Sequence, residues 1–338
     1  MQAEIGLAII LIIVLLADLF QKVPSPKNMQ RLSCALLVIL LLNNLFNSAS
    51  GEAFGSMYIN TPMTSVVKTV LTLGTILVFM QADTWLERED TRHKAGEFYL
   101  LTLSTLLGMF YMVSAGSFLL FYVGLELASI PMACLIAFDK YRHHSAEAGA
   151  KFILNAMFSS GLMLYGLSLV YGTCGTMYFN DISTMITGSP LQSLHGIVLC
   201  RIRLQTESGT FPHVDTRYLS GSSDNSQCLS FCYLKRSCSF CFDEYSAESI
   251  RPMVADWSLL LSVVIVLTIT IANIFAILQK DLKRFMAYSS ISQAGYIMLA
   301  VLGASAQGMA SLVYYVVVYI VANLAVFGVI GTVEQHNG

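Results

Sequence analysis

Charge is what this sequence has least of. Only 12% of its 338 residues are Asp, Glu, Lys or Arg, about half the share found in an ordinary soluble domain. Water is therefore not the main solvent of this chain. A basic excess is also missing, since the net charge is −2, and nucleic-acid binding would need one as its electrostatic footprint. The apolar stretches hold no nucleotide-cradling glycine loop, no cysteine run of iron–sulfur spacing and no Ser/His/Asp set, so redox or hydrolytic chemistry within the chain is unsupported. No small-residue cleavage site follows the first apolar run, 5–20, which reads as a retained helix and not as a signal peptide.

What is present is apolar: 55% of the residues are hydrophobic. Runs near the roughly 20 residues needed to cross a bilayer occur at 5–20, 32–46, 66–86, 98–113, 118–138, 148–171, 258–278, 285–302 and 309–333. In hydrocarbon every backbone polar group must pair within its own segment, and continuous runs of this length do so as helices, not as alternating barrel strands. The expected fold is all-α, a polytopic transmembrane bundle. Helices one to six fill 1–195, three more fill 251–338, and an anomalous segment lies between them.

Loop charge sets the orientation, because Lys and Arg stay on the cytoplasmic side. Lys22, Lys27 and Arg31 follow the first span, Arg88, Arg92 and Lys94 the third, and Lys140 and Arg142 the fifth. The loops after the second and fourth carry none, nor does 172–195 after the sixth. This alternation predicts an N-terminus outside, in a bacterial plasma membrane or an organelle inner membrane. The cluster Lys280, Lys283 and Arg284 falls inside if zero or two spans separate 171 from 258.

The segment 196–250 breaks the pattern. It carries five of the eight cysteines, Cys200, Cys228, Cys232, Cys238 and Cys241, and no span can be drawn through it. Their spacings allow a metal-binding reading, although no helix, strand or turn pattern frames them. The other reading is a frameshift. Residues 203–214, RLQTESGTFPHV, can be encoded so that a frame one nucleotide later reads GFKLSLVPFHMW. Residues 217–240 likewise permit DIYQGAPTTVSAYLSVISKGAAAF. Two scrambled helices are the number that the charge parity allows.

A charge inside a span costs on the order of 2.5 to 3.5 kcal/mol and marks a functional candidate. Glu126, in FYVGLELASIPMACLIAF, lies mid-span between Gly124 and Pro131. Lys151, in SAEAGAKFILNAMF, lies near the start of the next run. Burial disfavours both charges while their mutual attraction favours them, a balance that a neighbouring charge could tip in a proton relay. A static ion pair is the plainer alternative. Lys68, Asp83 and Asp18 sit toward the ends of their runs, where side chains snorkel to the interface, and are expected to be structural. His143 and His144 are expected to be solvated, and His195 has no evident partner. Ser289, Ser290 and Ser292 beside Gly295 suggest close packing or a hydrated kink, and Asn323 suggests packing between helices.

The strings GLELASIPMACLIAFDK, SAEAGAKFILNAMFSSGLMLYGLSLVYGTCGT and QKDLKRFMAYSSISQAGYIMLA resemble, in order, the N subunit of bacterial respiratory complex I, an antiporter-like family. The shifted-frame strings resemble that family's next two helices. The resemblance implies a membrane-arm subunit that moves protons through buried charges, with Glu126 and Lys151 as a relay pair. It implies NADH, FMN, iron–sulfur clusters and quinone on other subunits and no cofactor or metal in this chain. The partners implied are other membrane-arm subunits and the bilayer, without nucleic acid. The family's central lysines would fall in the shifted frame over Gln205 and Lys235. Relatives continue past the point where this chain stops at Gly338, so it resembles a truncated member that would not pump as written. Competing expectations are a cation/proton antiporter or membrane-bound hydrogenase subunit, and a non-transporting membrane protein with a Cys-rich metal-binding domain at 196–250.

Overall fold

A computed structural model of the chain describes residues 1–20, 25–46, 50–87, 91–138, 143–185, 254–303 and 306–336. Each of the nine apolar runs lies in a helix, apart from the last one or two residues of 118–138 and 258–278. These are α1 (Gln2–Phe20), α2 (Pro26–Phe46), α3 (Pro62–Leu86), α4 (Ala95–Val113), α5 (Phe118–Ile136) and α6 (His143–Cys174). A short α7 (Phe179–Met185) follows, then α8 (Val254–Ile277), α9 (Leu282–Gly303) and α10 (Ala306–His336). The first six of these are long and apolar enough to cross a membrane. The frameshift candidate, the five cysteines, His195, Gln205 and Lys235 lie outside the described residues.

Local chemistry explains where the helices begin. Pro26 and Pro62 open α2 and α3, where a missing N–H is no loss and a fixed φ is an advantage. At the head of α3, Thr61 and Thr64 cap each other: the Thr64 N–H donates to Thr61 Oγ1 at 3.2 Å, and the Thr61 N–H donates to Thr64 Oγ1 at 2.9 Å. This reciprocal arrangement does the work of a capping box. Ser117 caps α5, accepting from the Leu120 N–H at 3.3 Å.

Packing density is set by small residues. A Cβ added to Gly108 of α4 would lie 2.4 Å from the Ala128 backbone nitrogen, and one added to Gly124 of α5 would lie 2.7 Å from that of Met112. The backbones of α4 and α5 are therefore in direct contact, as small residues allow in membranes. Gly295 of α9 packs in the same way, its added Cβ falling 2.5 Å from Ile269 Cγ1 on α8. The serine-rich stretch beside it is thus a close-packing surface, with Ser290 and Ser292 donating to carbonyls of their own helix. Outward-facing positions such as Leu154, Phe158 and Val123 are exposed and apolar, as lipid-facing or partner-facing surfaces require.

Among the described residues, one small hairpin stands apart from the helices. Strands β1 (Gly51–Ala53) and β2 (Tyr58–Asn60) form an antiparallel hairpin turned by Phe54, Gly55 and Ser56, all at positive φ. It is stitched to the α4–α5 connection by Ile59 N–H to Ser114 O at 2.9 Å and Gly116 N–H to Met57 O at 2.8 Å. That connection is stitched in turn to the α6–α7 connection by Phe118 N–H to Met177 O at 3.1 Å. Three interhelical connections therefore share one face of the bundle. Three-residue strands are too short to leave a periodic signal in the sequence.

Candidate functional site

Glu126 projects from the middle of α5 toward α6, where the hydroxyl of Ser160 donates to Glu126 Oε1. Tyr122 lies one turn earlier on α5, its hydroxyl 3.1 Å from Ser160 Oγ. Ser160 has one proton and gives it to the carboxylate, so Tyr122 is the donor in that second contact. The result is an ordered run, Tyr122 to Ser160 to Glu126, linking two helices. Pro131 sits inside α5 without ending it, and its missing N–H releases the Leu127 carbonyl beside Glu126 from the helical ladder.

Lys151 is half-buried on α6, and its ion pair is with Glu147, one turn earlier on the same helix. Ser160, the residue that reaches Glu126, lies nine positions further along α6, a rise of about 13 Å. The geometry thus contains two polar groupings on the α5–α6 pair, one around Glu126 and one at Lys151 and Glu147, at different depths.

A third grouping, hidden from sequence reading, is the most deeply buried. Lys68 of α3 and Glu4 of α1 are 2% and 0% exposed and meet at 2.7 Å, Nζ to Oε1. Lys68 Nζ also donates to Tyr58 Oη at 3.1 Å and to Asn60 Oδ1 at 3.0 Å, so its three protons have three acceptors. Tyr58 in turn donates to the Glu4 carboxylate at 2.9 Å, and Ser114 Oγ approaches it at 3.5 Å. Burial and the adjacent Glu4 charge hold the Tyr58 phenol above its ordinary pKa, which keeps it a neutral donor. Lys68 therefore does not snorkel to the interface as its position in the third run suggested. The hairpin folds two acceptors over it, making an interior site the better one. The only cue available in sequence was a glutamate in the first turn of the first span.

Asn323 bonds within its own helix, Nδ2 to Tyr319 O at 2.8 Å. The cross-helix bond comes from Gln81 of α3, whose Nε2 donates to Leu324 O of α10 at 3.0 Å. The side chains of His143 and His144 lie outside the described residues.

Comparisons with known proteins agree with this architecture. The family model described as NADH:quinone oxidoreductase/Mrp antiporter, TM, matches residues 115–205 and 246–338. The chain is 57% identical over 339 residues to the NADH-quinone oxidoreductase subunit N of Phocaeicola vulgatus, covering 99% of this chain and 71% of that protein. It is 39% identical over 342 residues to the subunit N of Azobacteroides pseudotrichonymphae, covering 100% of this chain and 71% of the other. Among solved structures it is similar to a chain of respiratory complex I from Thermus thermophilus, with 25% identity and a TM-score of 0.79, over 97% of this chain and 70% of that one. A chain of the Mrp complex from Dietzia sp. shares the fold, at 18% identity and a TM-score of 0.85, over 100% of this chain and 38% of that one. With its membrane-spanning helices, its antiporter-type match on both sides of 206–245 and its near full-length similarity to these subunits, the chain belongs to the NADH-quinone oxidoreductase subunit N family.

Proposed function

We propose that this chain is a membrane-arm subunit of an NADH:quinone oxidoreductase, of the kind that translocates protons, and that the chain as written does not itself pump. Proton movement there is coupled to electron transfer from NADH to quinone, and FMN, iron–sulfur and quinone chemistry resides on other subunits. The observation that carries the reading is the 57% identity to a named subunit N across 99% of the chain. The proposed membrane is the bacterial plasma membrane, with the N-terminus outside, as the loop charges favour.

Within that function Glu126 is the proton carrier on α5. Its carboxylate is held by a hydroxyl run that can reorient as the proton leaves or arrives. Lys151 is the proposed partner charge on α6, released toward Glu126 or held by Glu147 according to the charge around it. The remainder of the relay is proposed to lie in the shifted frame. The interruption of the family match between residues 205 and 246 supports that reading, because it falls within the segment that carries the frameshift candidate.

The test is complementation of a host lacking its own subunit N, with inverted membrane vesicles scored for NADH-driven acidification. The chain as written is expected not to pump, and the chain with the frame restored across 196–250 is expected to pump. Glu126→Gln in the restored chain should abolish acidification. Full pumping by the chain as written, or by the restored Glu126→Gln variant, sinks the corresponding part of the proposal.

A further inference from the structure

The hairpin cannot stand by its own ladder. Its two strands have three residues each, and an isolated two-stranded hairpin is marginally stable at best in water. Its turn also holds Phe54 at φ 54° and Ser56 at φ 67°, left-handed conformations that side chains other than glycine keep only where the surrounding structure imposes them. Two side chains of β2 supply that hold. Tyr58 donates to the Glu4 carboxylate at 2.9 Å, and both Tyr58 Oη and Asn60 Oδ1 accept from Lys68 Nζ, at 3.1 and 3.0 Å. The Glu4–Lys68 pair therefore grips the hairpin from inside the bundle.

The hairpin in turn grips the start of α5. Residues 114–117 are all that join α4 to α5, and each is engaged. Ser114 O accepts from the Ile59 N–H, Ala115 bridges to Tyr58, the Gly116 N–H donates to Met57 O, and Ser117 bridges to Tyr178. The contact at Gly116 is so close that an added Cβ would fall 2.2 Å from Ser56 O. The Gly116 carbonyl accepts from the Phe179 N–H at 3.3 Å, and the Phe118 and Phe179 rings meet with centroids 4.6 Å apart. A connection this short and this fully bonded has no slack, so α5 takes its position from the hairpin. Glu126 lies two turns beyond Phe118, about 12 Å along the helix.

We propose that the Glu4–Lys68 pair is the pin of a clasp on this face, and that Lys68, acting through Asn60, Tyr58 and residues 114–117, is a positioning residue for Glu126. Side chains on α1 and α3 thereby set the approach of α5 to α6, where Ser160 meets the Glu126 carboxylate. The positional link stands on these bonds, and its meaning for proton movement rests on the reading of Glu126 given above.

Amide hydrogen exchange of the full chain in lipid nanodiscs tests the clasp in two variants. Asn60→Ala keeps both charges, and Glu4→Leu/Lys68→Met removes them together and strands neither; either carries the test alone if the other does not fold. The expected result in both is roughly tenfold faster exchange at Ile59, Gly116, Phe118 and Phe179, equivalent to about 1.4 kcal/mol, with α8 and α9 unchanged. The Glu126 carboxyl band, isolated in each background by subtracting the infrared spectrum of the same chain with Glu126→Gln, is expected to shift. Unchanged exchange at Gly116, Phe118 and Phe179, or a rise spread evenly over all the helices, overturns the clasp. Local release without a shift of the Glu126 band overturns the role of Lys68 toward Glu126. Neither readout requires pumping, so these failures are distinct from a failure of Glu126 to carry protons.

Discussion

Lys68 Nζ on α3 lies 2.7 Å from Glu4 Oε1 on α1, inside the bundle, with neither side chain more than 2% exposed. Taking two ions out of water is costly, and their attraction repays this only when the remaining donors and acceptors are also satisfied. Tyr58 and Asn60 provide that satisfaction. Removing one charge should therefore hurt more than removing both. Glu4→Gln or Lys68→Met alone is expected to cost about 3–5 kcal/mol, and the double variant Glu4→Leu/Lys68→Met to recover most of it. Unfolding free energies in bicelles would measure the cycle, and additive single effects would contradict it.

The Tyr58 phenol gives an alkaline signature. Its pKa is raised in the folded chain, so the folded form keeps a proton that the unfolded form releases near about pH 10. The stabilisation is complete below that pH and is lost above it, by at most about 1.4 kcal/mol per pH unit. Tyr58→Phe should flatten this part of the stability profile, which unfolding midpoints across the alkaline range would reveal.

Glycine substitutions separate contact from propensity. Gly108→Ala forces a methyl against the α5 backbone and should cost about 1–3 kcal/mol. Gly161→Ala meets nothing within 4 Å and should be neutral or stabilising by up to about 1 kcal/mol. Thermal denaturation of the two variants side by side is the check, and equal destabilisation would refute the distinction.

The bond from Gln81 to the Leu324 carbonyl joins α3 to α10. Interhelical bonds of this kind in membranes average about 0.6 kcal/mol. Gln81→Leu should lose roughly that much, far less than the loss of Glu4 or Lys68, and a loss as large as theirs would mean that this contact organises the bundle.

Sequence reading identified helices readily, because a bilayer demands long apolar runs and nothing else in this chain supplies them. Boundaries moved outward where polar ends continued the helix, as from 148 back to His143 in α6. Glu126 was legible as a lone carboxylate in a run of apolar residues, but its partners Ser160 and Tyr122 were not. Hydroxyls are common in membrane helices, and their orientation depends on how α5 and α6 pack. Lys68 was visible, but its interior position was not, since that depends on Glu4 from a helix two spans away and on a hairpin too short to show a period.

The Glu4–Lys68 pair also bears on how the protein is made. Glu4 enters the membrane with the first span, whereas its partner is completed only after about 60 more residues, several seconds of synthesis at roughly 5–20 residues per second. During that interval a carboxylate occupies a hydrophobic segment with no lysine to meet it, at an insertion cost that favours holding α1 at the translocon or leaving it near the headgroups. Release of the first helix into lipid is therefore expected to await the arrival of the third, and a Glu4→Gln chain is expected to release it earlier.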